Sequence, residues 1–224
     1  MKILIIIAMI SIALLAIITA YQKRSTPKNK NTEMKGKRPM TLETKLEVLK
    51  SCGLQLTHPF TVNDLLTSWD REEFEKDGWG LVLVGLGMTE EEEPFRNHSV
   101  NVWHFDTECI EDNGDYKRIA ERMVEMSQGS LKLEDIKDHV DVDGDLAWLS
   151  FKFKGKEMKY DLKVQDDWVD ATIFSKFVEL LKESDPSKLY IYYDLKGQDC
   201  IIGCVTTNEF ECLKSKGMEF TPLN

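Results

Sequence analysis

The sequence predicts an α+β domain built on a mostly antiparallel (mixed) sheet with covering helices, preceded by one N-terminal transmembrane helix. Three observations carry this. Between residues 138 and 205, apolar runs of strand length are broken at Asp143-Gly144, Lys154-Gly155-Lys156-Glu157 and Lys196-Gly197-Gln198-Asp199, each a hairpin signal. Between the second and third breaks, Ile173, Phe174, Phe177, Val178 and Leu181 recur at helical spacing. Residues 3–20 carry no charge and are apolar except for Ser11 and Thr19.

That apolar run would span roughly 27 Å as a helix, close to the thickness of a bilayer's hydrocarbon core. Lys23, Arg24, Lys28, Lys30, Lys35, Lys37 and Arg38 follow it, and a basic flank is retained on the cytoplasmic side. The expectation is an uncleaved single-pass anchor over residues 1–21, in the inner (cell) membrane, with the body in the cytoplasm. The alternative is a signal peptide cut after Ala20, with Ile18 and Ala20 at the cut, and an exported body. Residues 22–39 are polar and basic without apolar periodicity, which predicts a disordered tether. Its seven cations would attract anionic lipid at about 1 kcal/mol each. Residues 40–224 are read as a single domain.

Within that body, Leu42, Leu46 and Leu49 make a helical stripe over residues 41–51, with Gly53 past its end. Thr61 and Asp64 have the spacing that starts a short helix, and residues 70–77 continue it as a charged segment. Residues 81–86, Leu-Val-Leu-Val-Gly-Leu, are continuously apolar and predict a strand covered on both faces. Residues 100–106 predict a second strand. The next helix places Tyr116, Ile119, Ala120, Met123 and Val124 inward and Lys117, Arg118, Glu121, Arg122 and Glu125 in water, and stops at Gly129.

A meander follows. A two-residue turn at Asp143-Gly144 would set Val140 opposite Ala147 and Ile136 opposite Phe151. A four-residue turn at residues 154–157 would set Phe153 opposite Met158, Phe151 opposite Tyr160, Leu149 opposite Leu162 and Ala147 opposite Val164. Asp170 is the expected cap of the helix that Pro186 closes. Thr206 and Glu209 have capping-box spacing for a last helix ending at Gly217.

Charge narrows the partners. The chain's 29 basic and 39 acidic residues are unevenly placed, for residues 1–38 hold eight of the former and one of the latter, so a net of −10 overall becomes −17 in the body. Such a body repels nucleic acid. Five cysteines, Cys52, Cys109, Cys200, Cys204 and Cys212, form an odd count without framework spacing, which fits thiols in a reducing compartment. Cys200 and Cys204 share a strand face with Ile202 and read as core, since their spacing is not that of a zinc pair. Cys109 with His104 or His139 has no motif to make it a nucleophile–base pair. Asp141-Val-Asp143-Gly-Asp145 resembles a calcium loop, but Gly stands fourth and Lys152 twelfth, so a turn suffices. No cofactor and no metal is expected.

The order helix, meander, helix, strand resembles the core of the PD-(D/E)xK nucleases, with Glu157-Met-Lys159 or Asp161-Leu-Lys163 as the acid-x-lysine. The expected register gives Asp161 no second carboxylate, so metal-dependent nuclease activity is the alternative, beside small-ligand binding. The preferred reading is a binding face for a basic protein, catalysing nothing. It gathers acidic loops and aromatic anchors: Asp106, Glu108, Asp166, Asp167, Trp168 and Asp199.

At residues 102–116 (Val-Trp-His-Phe-Asp-Thr-Glu-Cys-Ile-Glu-Asp-Asn-Gly-Asp-Tyr), residues 166–170 (Asp-Asp-Trp-Val-Asp) and residues 197–204 (Gly-Gln-Asp-Cys-Ile-Ile-Gly-Cys), the chain resembles a group of uncharacterised bacterial proteins. These are loosely akin to the immunity proteins of polymorphic toxin systems. The resemblance implies a small acidic α+β binder and supplies no catalytic residue.

Overall fold

The computed structural model describes residues 39–90 and 95–224, of which Pro39–Asn224 form one unit. The apolar run, the tether and the basic strip expected to meet lipid lie outside the described residues. Among those residues no helix is long and apolar enough to cross a membrane.

Four helices open the unit: α1 (Leu42–Ser51), α2 (Val62–Leu65), α3 (Arg71–Lys76) and α4 (Gly80–Gly87). The short hairpin β1 (Thr89–Glu90) with β2 (Arg96–Asn97) leads to β3 (Val102–Asp106) and helix α5 (Asp115–Met126). The meander β4 (Glu134–Asp141), β5 (Leu146–Phe153) and β6 (Lys156–Leu162) comes next, then helix α6 (Thr172–Ser184). Strands β7 (Lys188–Asp194) and β8 (Asp199–Thr206), helix α7 (Thr207–Ser215) and the short β9 (Thr221–Pro222) complete it. Among the described residues the strands pair antiparallel, in a sheet of order β3-β8-β7-β9, a separate β4-β5-β6 sheet and the β1-β2 hairpin.

The four-stranded sheet is the middle layer. Phe105, Tyr190, Cys200, Ile202 and Cys204 join one core cluster with α5, α6 and the inner face of the meander. Helix α6 bridges the two sheets: Phe174 meets Phe105 with ring centroids 5.4 Å apart, and Phe177 meets Phe151 at 6.4 Å. Ile191, Ile201 and Val205 alternate to the opposite face and are also buried, on the side that α4 and α7 cover. Because both faces are covered, β8 is buried along nearly its whole length.

Local chemistry sets the helix starts. Asp64 Oδ2 accepts the Thr61 N–H at 2.6 Å, and Glu209 Oε2 accepts the Thr206 N–H at 2.7 Å, closing two capping boxes. The expected Asp170 cap is displaced by one residue. The helical segment begins at Thr172 with Ala171 at the boundary, yet Asp170 Oδ1 still accepts the Thr172 N–H at 3.0 Å.

Several expectations are corrected. Residues 81–86 are helical, not a strand, in α4. Every residue from Leu81 to Gly87 is buried, and a helix apolar all round belongs inside a protein. Asp77 caps it, its Oδ2 accepting the Leu81 N–H at 2.7 Å. Glycine lets α4 lie directly on β3, for a Cβ at Gly87 would stand 2.4 Å from the His104 nitrogen.

The two meander turns exchange types. Val140 does face Ala147, but Asp141 and Leu146 are the last pair, with a four-residue loop in which Asp145 takes the positive φ (53°). Gly144 N–H donates to Asp141 Oδ1 at 2.9 Å inside it. Lys154-Gly155 is instead the two-residue turn, both residues at positive φ. Its tightness moves β6 by two residues, so Phe151 faces Met158, Leu149 faces Tyr160 and Ala147 faces Leu162. A shift of two preserves each side chain's face, and the core composition survives. A bulge between Glu134 and Lys137 sets two residues, Asp135 and Ile136, against the single Phe151, so the expected one-to-one pair of Ile136 with Phe151 is not formed.

The cysteine expectation also fails in part. Cys52 and Cys212 are joined by a disulfide, 160 residues apart in sequence. Pairing over that distance is made by the fold and leaves no local spacing to read. Cys109, Cys200 and Cys204 are free, and the latter two are core as expected.

Candidate functional site

The loop after β3 and the loop before α6 zip together. Glu108 bridges to Trp168, the Ile110 N–H donates to the Asp167 carbonyl at 2.9 Å, and the Val169 N–H donates to the Thr107 carbonyl at 2.9 Å. Asp170 fixes this second loop from behind. Its backbone N–H donates to the Tyr116 hydroxyl at 2.9 Å, and its Oδ2 accepts the Lys163 N–H at 2.8 Å. Burial raises the Asp170 carboxyl, but hydrogen bonds from Lys163 and Thr172 outweigh it and hold the group below its ordinary value.

Strand β8 brings in the third segment. Asp106 is the register partner of Asp199 at the open end of the sheet. Gln198 Nε2 reaches Asp106 Oδ1 at 3.3 Å and Glu108 Oε2 at 2.9 Å, holding two carboxylates on one amide. Asp199 pairs with His104 Nε2 at 2.9 Å. Asp106, Glu108, Asp167, Trp168 and Asp199, scattered over the sequence, are therefore brought to one seam. Trp168 is 42% exposed there. Asp166 is exposed at the loop's tip with a φ of 59°. Among the described residues, neither Asp106 nor Glu108 has a lysine or arginine partner.

The seam opens into a groove of about 680 Å³ between the β1–β2 hairpin, β3 and α5. Its lining includes Phe95, Trp103, Asp106, Arg118, Glu121 and Glu125. Phe95 is 55% exposed, and the Trp103 ring packs on Phe105 at 4.5 Å. In this lining Glu90 pairs with Arg96, Glu121 with Lys117 and Glu125 with Arg122, which leaves Asp106 as its carboxylate without a lysine or arginine partner among the described residues, while its arginines are engaged too. Arg118 pairs with Asp115 at 2.8 Å and Arg122 with Glu125 at 2.6 Å.

Arg122 corrects a further expectation, since it is 5% exposed and not in water. Its Nη2 donates to the carbonyls of Ser99 at 2.7 Å and Val102 at 2.6 Å, so it holds the bend that enters β3. Its Nε has no acceptor among the described residues. The helical stripe held a signal: Arg122 stands three residues after Ile119 and four before Met126, both buried. Sequence reasoning missed Phe95 and the groove-facing side of α5 because nothing in the helix period says that a hairpin would stand over it.

The alternatives find these surroundings. Asp161 lies opposite Trp148, 3.9 Å from Lys159, with its side chain 86% exposed. Among the described residues no group of three His, Cys, Asp or Glu side chains is placed to hold a metal ion. Burial and nearby carboxylates push the Cys109 thiol up to about 12, the reverse of what a nucleophile needs. Comparison with protein-family models, curated proteins and solved structures gives no match.

Proposed function

We propose that the chain is an acidic binding protein that seats a lysine- or arginine-bearing segment of a partner protein in the groove, with the partner's neighbouring cations on the seam. The carrying observation is that Asp106 belongs to both features, lining the groove while sharing Gln198 with Glu108. Carboxylates without cationic partners, beside the exposed rings of Phe95 and Trp168, suit an alkylammonium or guanidinium stem and head. The role this implies is that of an immunity-like protein, which captures its target by charge and anchors it by aromatic contact.

Intrinsic tryptophan fluorescence of the full-length protein, titrated with lysine- and arginine-rich peptides and with neutral and acidic peptides of equal length, tests this. Basic peptides should bind, and their affinity should fall about tenfold or more as salt is raised from low to physiological strength. Equal affinity for neutral peptides, or no salt dependence, overturns the reading. A groove of this size also admits a small cationic molecule. Free polyamines displacing the peptides would shift the assignment to that ligand class.

A further inference from the structure

We infer that the body folds and works on the oxidising side of the membrane, with Cys52–Cys212 as its permanent bond and the apolar run of residues 3–20 as its export signal. Three observations lead there.

The bond joins the residue that ends α1 to one within α7, so the first and last helices of the unit are stapled across the sheet's far face. Cys52 is 0% exposed and Cys212 is half-buried, so soluble thiols are kept from one of the two sulfurs in the folded state. The remaining three thiols stay unjoined, with Cys200 and Cys204 buried, so oxidation is confined to one site in the fold. A glutathione-buffered cytosol keeps thiols reduced during folding, so a resting disulfide of this kind requires an oxidising compartment. This reverses the orientation that the basic flank suggests. A cut after Ala20 reconciles the two, because residues 23–38 then leave with the mature body and no longer orient an anchor.

The bond forms by exchange. One thiolate of the pair attacks the disulfide of a dithiol–disulfide oxidoreductase, displacing one of that protein's sulfurs as a thiolate. The second cysteine then attacks the mixed disulfide, closing Cys52–Cys212 and releasing the donor as its dithiol. Two electrons and two protons pass from the pair to the donor. The partner, on this inference, is a basic protein met outside the cytosol.

The test uses the full-length chain expressed in bacterial cells with an intact disulfide-forming pathway. Cells are quenched in acid, denatured, and treated with a mass-adding maleimide with or without prior reduction. Three of the five cysteines should be labelled before reduction and all five after it. The Cys52→Ser/Cys212→Ser variant should show three in both lanes. Protease added outside the permeability barrier should digest the body. Five labels before reduction, or a body protected until the membranes are dissolved, overturns the inference.

Discussion

The two ends of β3 are built to opposite rules. At the Val102 end the side-chain donors are turned inward, onto carbonyls of the protein itself. Arg122 takes the carbonyls of Ser99 and Val102, Asn101 Nδ2 donates to the Gly53 carbonyl at 2.9 Å, and α4 lies against the strand through Gly87. At the Asp106 end the carboxylates share one glutamine amide and face a groove. One end is committed to holding the fold. The other keeps two carboxylates that no lysine or arginine neutralises among the described residues, as a surface for a cationic partner requires.

Substitutions can break that contrast, and the largest effect belongs at the closed end. Arg122→Met leaves the Ser99 and Val102 carbonyls without their donor, and should cost about 3 kcal/mol or more in urea unfolding. A loss below about 1 kcal/mol would mean that the bend does not depend on the guanidinium. Gly87→Ala drives a methyl into the β3 backbone and should cost about 2–3 kcal/mol, since backbone cannot yield as a side-chain end can.

Asp170 lies between the extremes, because it positions the Trp168 loop without lining the groove. Its folded value is below the ordinary 3.8, so its contribution is full above that pH and is lost as pH falls through the lowered value. Asp170→Asn should cost about 1–2 kcal/mol at neutral pH and flatten the fall in stability below pH ~4. Acid unfolding profiles of the two proteins would show parallel slopes if the carboxylate were idle.

Much of this fold was legible in the sequence for a local reason. The capping boxes at Thr61 and Thr206, the stripes of α1 and α6 and the parity of the meander depend on neighbours within a few residues. The misread parts depend on contacts that the chain order conceals. Residues 81–86 give the same apolar string for a buried helix as for a buried strand, and Asp77 at its head and Gly87 against β3 decide it. The turn exchange is subtler. Asp143-Gly144 had the two-residue signature, but Asp141 captured the Gly144 N–H and built the longer loop, leaving the tight turn to Lys154-Gly155. At the candidate site, charge and aromaticity identified the seam residues, whereas the groove beside them needed the β1–β2 hairpin to be placed over α5.

The central claim concerns the open end of β3, and Asp106→Asn/Glu108→Gln addresses it most directly. Both changes keep side-chain volume and remove charge, and Gln198 can still bond to either amide oxygen. The full-length double variant and the parent should be melted and titrated with the same arginine-rich peptide at low salt. The expected result is a melting temperature within a degree or two of the parent and an affinity lower by about tenfold, with a shallower salt dependence. Unchanged affinity, or a loss of affinity matched by a loss of folding, would contradict the assignment of this end to binding.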